Sequence, residues 1–155
     1  LLCAVCPFCD MEGRIIMIEL TGVLQTVAPG QDVLFNNKAV KSGCAEQWRG
    51  GSGQVVLTQP GRYLVTFSGN IAVPDGGTVG EVSLGLALQG EAMYGSVMRA
   101  TPGATEAFFN VSAQHYVDVP RSCCGGACCQ TVTVQNTGAA AVSVDNANIT
   151  AVRVA

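Results

Sequence analysis

The sequence predicts an all-β fold, a sandwich of about ten antiparallel strands. Three observations carry that prediction. Residues 60–73, PGRYLVTFSGNIAV, alternate strictly. Tyr63, Val65, Phe67, Ile71 and Val73 fall on one side of a two-residue period, with Gly69 holding the register, while Thr66, Ser68 and Asn70 fall on the other. Successive side chains of a strand point to opposite faces of a sheet, so this stretch is a half-buried strand. Turn-forming residues recur every ~8–12 residues, the spacing of short sandwich strands. No segment keeps a helical apolar period over three turns, so no helix is expected.

The remaining elements follow from the same rules. Residues 1–13 hold Cys3, Cys6 and Cys9, with Pro7 between the last two, and show no alternation. They read as an arm or connector ahead of a single domain, residues 14–155. Residues 14–20 (RIIMIEL) are apolar and β-branched, a first strand that residues 22–27 extend after a kink. Ala28-Pro29-Gly30 is a turn. Residues 32–36 (DVLFN) are a short strand, followed by a loop over 37–53 that carries Cys44 and the single tryptophan, Trp48. Residues 55–58 are a strand before the Pro60-Gly61 turn, and Pro74-Asp75-Gly76-Gly77 ends the central strand. Within 78–89, Val82, Leu84, Leu86 and Leu88 share one face. The opposite face, Ser83, Gly85 and Ala87, is small enough to let a neighbouring strand or subunit approach closely. Residues 91–100, 107–111 and 112–119 continue the pattern. After the Cys-rich stretch 121–129, residues 130–135, 142–145 and 148–154 complete the set, with Asn136-Thr137-Gly138 as a turn.

Composition bounds the functions. The chain has 155 residues, enough for one domain with a real core. Only 12% of them are charged, about half the usual ~25%. So few charges suggest that part of the surface is covered by other copies. The eight Lys and Arg are scattered and net charge is −3, which gives nucleic-acid binding little support. The apolar stretches fall short of the ~20 residues of a membrane-spanning helix, so no membrane insertion is expected. Leu1-Leu2 opens an apolar stretch without a basic flank, so an intact signal peptide is not read there.

No catalytic constellation appears. His115 is the single histidine and sits in a predicted strand. The eleven carboxylates are scattered, and no nucleophile elbow, zinc-protease motif or phosphate loop is present. Neither an enzyme nor a cofactor is expected. Asp75 and Asp145 fall in turns, too few oxygens for calcium. The glycosylation sequons at Asn110 and Asn148 fall in predicted strands.

The eight cysteines, Cys3, Cys6, Cys9, Cys44, Cys123, Cys124, Cys128 and Cys129, bear four readings: metal, redox, free thiol and disulfide. A thioredoxin-like redox site needs C-x-x-C at a helix start in a βαβ context, which nothing here supplies. A C-x-x-C pair supplies two of the four ligands that zinc needs, and the usual second pair is missing. Free buried thiols would pack as small apolar groups. Disulfides account best for so many cysteines and point to an oxidising, extracellular setting. Adjacent cysteines rarely bond each other. Cys123 and Cys124 would reach Cys128 or Cys129 across the Gly-Gly-Ala turn, giving a stapled hairpin tip, or reach other segments or subunits. The arm cysteines suit crosslinks between subunits.

The order of landmarks resembles a known family. A Phe35-Asn36 strand and a Gly-containing loop precede Pro60-Gly61-x-Tyr63, with Phe67 four residues on. Then come a Gly80-to-Gly90 strand and a closing VxVxNTG…VxVxNANIxAxRV from Val132 to Val154. This resembles the C1q/TNF-like jelly-roll domains of bacteria and phages, among them the C-terminal domains of collagen-like spore-surface glycoproteins and the knobs of phage fibres. Val119-Pro120-Arg121-Ser122-Cys123-Cys124 is similar to a stretch in such firmicute sequences. The resemblance covers about residues 32–155, and the 155 residues include no Gly-x-y stalk. It implies a ten-stranded jelly roll that assembles as a homotrimer.

Two functions follow as expectations. The first is a structural, self-assembling surface protein, a subunit of an extracellular bacterial fibre or of a spore or cell appendage. Its partner is itself, and the arm, through Leu1, Leu2, Val5 and Phe8, joins one trimer to the next in a filament. The second is a phage fibre knob or capsid decoration protein on the virion, which binds a host-surface glycan or receptor.

Overall fold

The computed structural model describes residues 16–42, 46–120 and 129–155. Among them are twelve strands and no helix. In chain order the strands are β1 (Met17–Gly22), β2 (Gln25–Val27), β3 (Asn37–Ser42), β4 (Glu46–Gln47), β5 (Val55–Leu57) and β6 (Gly61–Ala72). They continue with β7 (Val82–Leu88), β8 (Glu91–Ala92), β9 (Met98–Ala100), β10 (Phe109–Val119), β11 (Gln130–Asn136) and β12 (Val142–Arg153). One sheet runs β10-β6-β12-β1-β3, with β2 also on β12, and the other runs β4-β5-β11-β7-β8, with β9 also on β7. Every strand pair is antiparallel. The two sheets face each other across one core, as a β-sandwich.

The central strand is where the alternation puts it. In β6, Tyr63, Val65, Phe67 and Ile71 are all fully buried. They meet Ile18, Leu20, Ile149 and Ala151 from their own sheet and Leu57, Leu84, Leu86, Val132 and Val134 from the other. Fully burying a large apolar side chain stabilises by ~1.5–3 kcal/mol, so these rows hold the sandwich together.

Five strand readings need correction. Residues 91–100 are not one strand but two short ones, β8 and β9, with a turn at Tyr94-Gly95 between them. Residues 32–36 are not a strand. Val33 N–H bonds the Val134 carbonyl at 2.7 Å, but the pairing stops at once, and Phe35 N–H bonds the Ser52 carbonyl at 3.2 Å instead. Val33 and Phe35 are nonetheless fully buried, which is what their apolar character signalled. Residues 37–42, read as loop, form β3 on the edge of the first sheet, paired with β1 from Met17↔Ser42 to Thr21↔Asn37. Its side chains are mostly exposed, so no apolar alternation marks it. Residues 107–119 are not two strands but one, β10, beginning at Phe109. Residues 142–154 are likewise one strand, β12, bulged between Asp145 and Asn148 with Asn146 at φ 51°. Asparagine tolerates that left-handed conformation, and a bulge lets the strand continue past it.

The small-residue face of β7 is not an open surface. Ser83 and Ala87 are buried, and Ser83 Oγ lies 2.8 Å from Thr137 Oγ1. A Cβ added at Gly85 would come within 3.0 Å of Thr137 Cγ2 and 3.4 Å of Val97 Cγ2. Ser96 anchors that cover. Its Oγ accepts from Leu86 N–H at 3.1 Å and lies within donating distance of the Leu86 and Met93 carbonyls, at 3.0 and 2.7 Å. Small residues here admit the chain's own 93–97 and 137–138 segments rather than another subunit.

Candidate functional site

The outward face of the first sheet carries few charges. Its side chains fall into rows set by the strand register. One row reads Tyr116, Leu64, Val152, Met17 across β10, β6, β12 and β1. The next reads Gln114, Thr66, Thr150, Glu19, and the third Ser112, Ser68, Asn148, Thr21. A fourth, shorter row is Asn110, Asn70, Asp145. The alternation that buries Tyr63, Val65 and Phe67 sends Leu64, Thr66 and Ser68 outward.

Charge is nearly absent from the middle of this face. Glu19 is the single ionisable side chain in the second and third rows, and its Oε1 accepts a hydrogen bond from Asn148 Nδ2 at 2.9 Å. At one margin Arg62 and Asp118 form a two-pronged ion pair, Nε to Oδ1 at 2.7 Å and Nη2 to Oδ2 at 3.0 Å. The Arg62 hydrogen bond holds the Asp118 carboxyl below its ordinary range, and Asp118 in turn raises the guanidinium. Both side chains are more than half exposed, so water screens the pair and it adds little to stability. The face therefore offers hydroxyls, amides and one apolar row. Interface cores are depleted in charge and enriched in aromatic residues, and Tyr116, 60% exposed, is such an aromatic.

The other singled-out residues lie elsewhere. Trp48 is not a free loop aromatic: it packs against the core, and its Nε1 donates to the Ser52 carbonyl at 2.9 Å. Among the described residues the exposed aromatics are Tyr94, Phe108, Phe109 and Tyr116. Tyr116 was legible, because it alternates with the buried Val117 and Val119. Tyr94 and Phe108 sit in irregular segments, where no period signals exposure. His115 is in β10, its Nδ1 2.7 Å from the Tyr116 carbonyl.

Cys129 is disulfide-bonded, and its carbonyl accepts from Gln89 Nε2 at 3.0 Å. Cys3, Cys6, Cys9, Cys44, Cys123, Cys124 and Cys128 lie outside the described residues, as do Leu1, Leu2, Val5 and Phe8. The described residues that flank these segments share one end of the sandwich. Ser42 pairs with Met17, Val119 with Gly61, and both Glu46 and Gln130 with Leu57. Each cysteine-bearing segment thus leaves or enters the sheets at that end.

A shallow groove occupies the opposite end, between the turn after β1, the turn after β6 and the segment before β10. Leu24, Pro74 and Phe108 form its apolar wall, and Asp75 and Glu106 supply carboxylates.

No protein-family model matches the chain, and no curated protein matches it. Solved structures do. Murine APRIL at pH 5.0 is similar with a TM-score of 0.65 and 12% identity, over 91% of this chain and all of that one. Eiger TNF from S. frugiperda is similar with a TM-score of 0.65 and 15% identity, over 91% of this chain and 93% of that one. The PRD1 vertex protein P5 is similar with a TM-score of 0.54 and 16% identity, over 92% of this chain and all of that one. At these identities the likeness is one of fold: the chain is a TNF-like jelly roll.

Proposed function

We propose that this chain is a structural, self-assembling surface protein, a subunit of an extracellular bacterial fibre or of a spore or cell appendage. The observation that carries the reading is the outward face of the first sheet, with its apolar row Tyr116, Leu64, Val152 and Met17 beside two rows holding one charge. Such a face gains by covering itself with copies of the same chain, as a homotrimer. The resemblance of the sequence to bacterial C1q/TNF-like domains supports the same arrangement. Trimers are joined by the arm, residues 1–13. Leu1, Leu2, Val5 and Phe8 seek an apolar partner, and Cys3, Cys6 and Cys9 bond to a neighbour. A head-to-tail joint of this kind does not close on itself and so builds a filament. That the cysteine-bearing segments meet the sheets at one end supports a crosslinked joint there.

The test is deletion of residues 1–13, with electron microscopy before and after reductant. The truncated protein should give soluble trimers and no filaments. Filaments of normal length from it would remove the connector role.

A second reading, a virion protein such as a fibre knob or decoration protein, draws support from the likeness to a phage vertex protein and from the exposed groove at the end of the sandwich. Disulfides between subunits of the purified particle would favour the appendage, because phage particles assemble in a reducing cytoplasm.

A further inference from the structure

We propose that the free edge of β3 receives residues 8–13 of a neighbouring copy as an added antiparallel strand. This site rests on the joining role proposed for the arm and names the surface that takes it. Strand β3 pairs with β1 on one side and with no described strand on the other. Five of its six side chains are exposed, so nothing among the described residues covers it. An uncovered edge presents a row of backbone donors and acceptors that templates another strand. The edge also carries a charge pattern. Its register on β1 shifts between Glu19 and Leu20, so Lys41 pairs with Ile18, Lys38 pairs with Leu20, and Ala39 is the extra residue. Ile18 and Leu20 both point into the core. The bulge thereby brings Lys38 and Lys41, three apart in sequence, onto one side of the sheet and two rungs apart. Neither lysine has an ion pair among the described residues. Lysines on an edge repel a like edge, here the β3 of another copy. They admit an acidic strand.

The arm carries the matching pattern. Residues 8–13 read Phe-Cys-Asp-Met-Glu-Gly. Pro7 before them cannot donate to a ladder, so a strand starts after it. Asp10 and Glu12 are two apart, and a strand puts both on one side, at the spacing of the two lysines. One antiparallel register satisfies both charges, with Asp10 opposite Lys41 and Glu12 opposite Lys38. It also sets Met11 opposite Val40, which is 42% exposed, and Gly13 opposite Asn37. Opposite charges and apolar pairs directly across a ladder are both favourable. The two lysines lie on the other side of the sheet from the face proposed for the trimer. In this register the arm cannot reach its own β3. Asn37 pairs with Thr21, which is five residues on from Ile16. Five rungs of ~3.3 Å and two strand spacings of ~4.8 Å put Gly13 about 19 Å from Ile16. Three residues extend no more than ~11 Å. The donor is therefore another copy, and because donor and acceptor surfaces differ, the contact propagates.

The experiment compares the full chain, its deletion of residues 1–13, and three charge variants: Lys38→Glu with Lys41→Glu, Asp10→Lys with Glu12→Lys, and all four together. Electron microscopy over a concentration series reads filament formation, and circular dichroism confirms folding. Hydrogen–deuterium exchange follows the amides of residues 37–42. Each double variant sets like charges opposite one another and should raise the concentration at which filaments form about tenfold. The fourfold variant restores the pairs in reverse and should return to within about twofold of the natural chain. The 37–42 amides should exchange about tenfold more slowly in natural filaments than in the deleted form, because the added strand bonds them. Filaments that need residues 1–13 but ignore Lys38→Glu with Lys41→Glu, as lysines that merely guard the edge would allow, overturn this site and leave the joining role of the arm standing. So does equal exchange at 37–42 in the two forms, or a fourfold variant no better than the double ones. Filaments formed without residues 1–13 overturn the joining role, and this site with it.

Discussion

The Tyr63 hydroxyl donates a hydrogen bond to the Gln59 carbonyl, four residues upstream, at 2.8 Å. The bond spans the Pro60-Gly61 turn and ties the entry of the central strand to the end of β5. The ring itself is fully buried, so its hydroxyl needs a partner. Tyr63→Phe keeps the ring and leaves the carbonyl short of its donor. The expected loss is ~1 kcal/mol, read as a fall of about 2–4 °C in Tm. An unchanged Tm would show that the bond contributes nothing to the turn.

Gly85 tests which molecule covers the small-residue face. Any side chain there meets Thr137 and Val97 of the same chain. Gly85→Val should destabilise by ~1–3 kcal/mol through overpacking, with the mass in solution unchanged for the folded fraction. A variant of normal stability that no longer associates would return this face to the subunit interface.

Asp32 gives a pH-dependent prediction. Partial burial raises its carboxyl above the ordinary value. A raised native value means that the folded state holds the proton more tightly than the unfolded one. Folding is then favoured at acid pH, and that contribution is lost as pH rises through the native pKa, where the partly buried carboxylate ionises. Asp32→Asn should therefore raise Tm at pH 7 more than at pH 3. Thermal melts at the two pH values check it, and an equal shift at both would mean that the carboxylate charge carries no penalty.

How much of this could be read from the chain depends on what each segment buries. Strand β6 was fully legible because Tyr63, Val65, Phe67 and Ile71 fill the core while their neighbours face outward, a pattern with a period of two. Strand β3 was not, because Lys38, Val40 and Lys41 on an edge bury neither face, and its pairing with β1 is a backbone ladder helped by one side-chain bond, from Asn37 Nδ2 to Thr21 Oγ1 at 3.3 Å. Residues 32–36 misled for the opposite reason: Val33 and Phe35 are core residues in a segment without a ladder. The bulge in β12 looked like a turn because Asn146 has turn chemistry. The uncharged outward face of the first sheet was visible only in part. Thr66, Ser68 and Gln114 are unremarkable one at a time and become a continuous uncharged surface once β10, β6 and β12 are in register. The groove was invisible, since Leu24, Pro74 and Phe108 come from three turns far apart in sequence.

The central claim is that the outward face of the first sheet is covered by copies of the same chain. Leu64 stands in its apolar row between Tyr116 and Val152, with its side chain outside the core. A carboxylate there costs the isolated domain little but would be buried without a partner in the assembly, where uncompensated charge is strongly unfavourable. The measurement is the mass of the protein in solution at micromolar concentration, for the natural sequence and for Leu64→Asp, with far-ultraviolet circular dichroism to confirm that both fold. The account predicts a trimer for the first and a folded monomer for the second. A monomer for the natural sequence, or a trimer that survives Leu64→Asp, would contradict it.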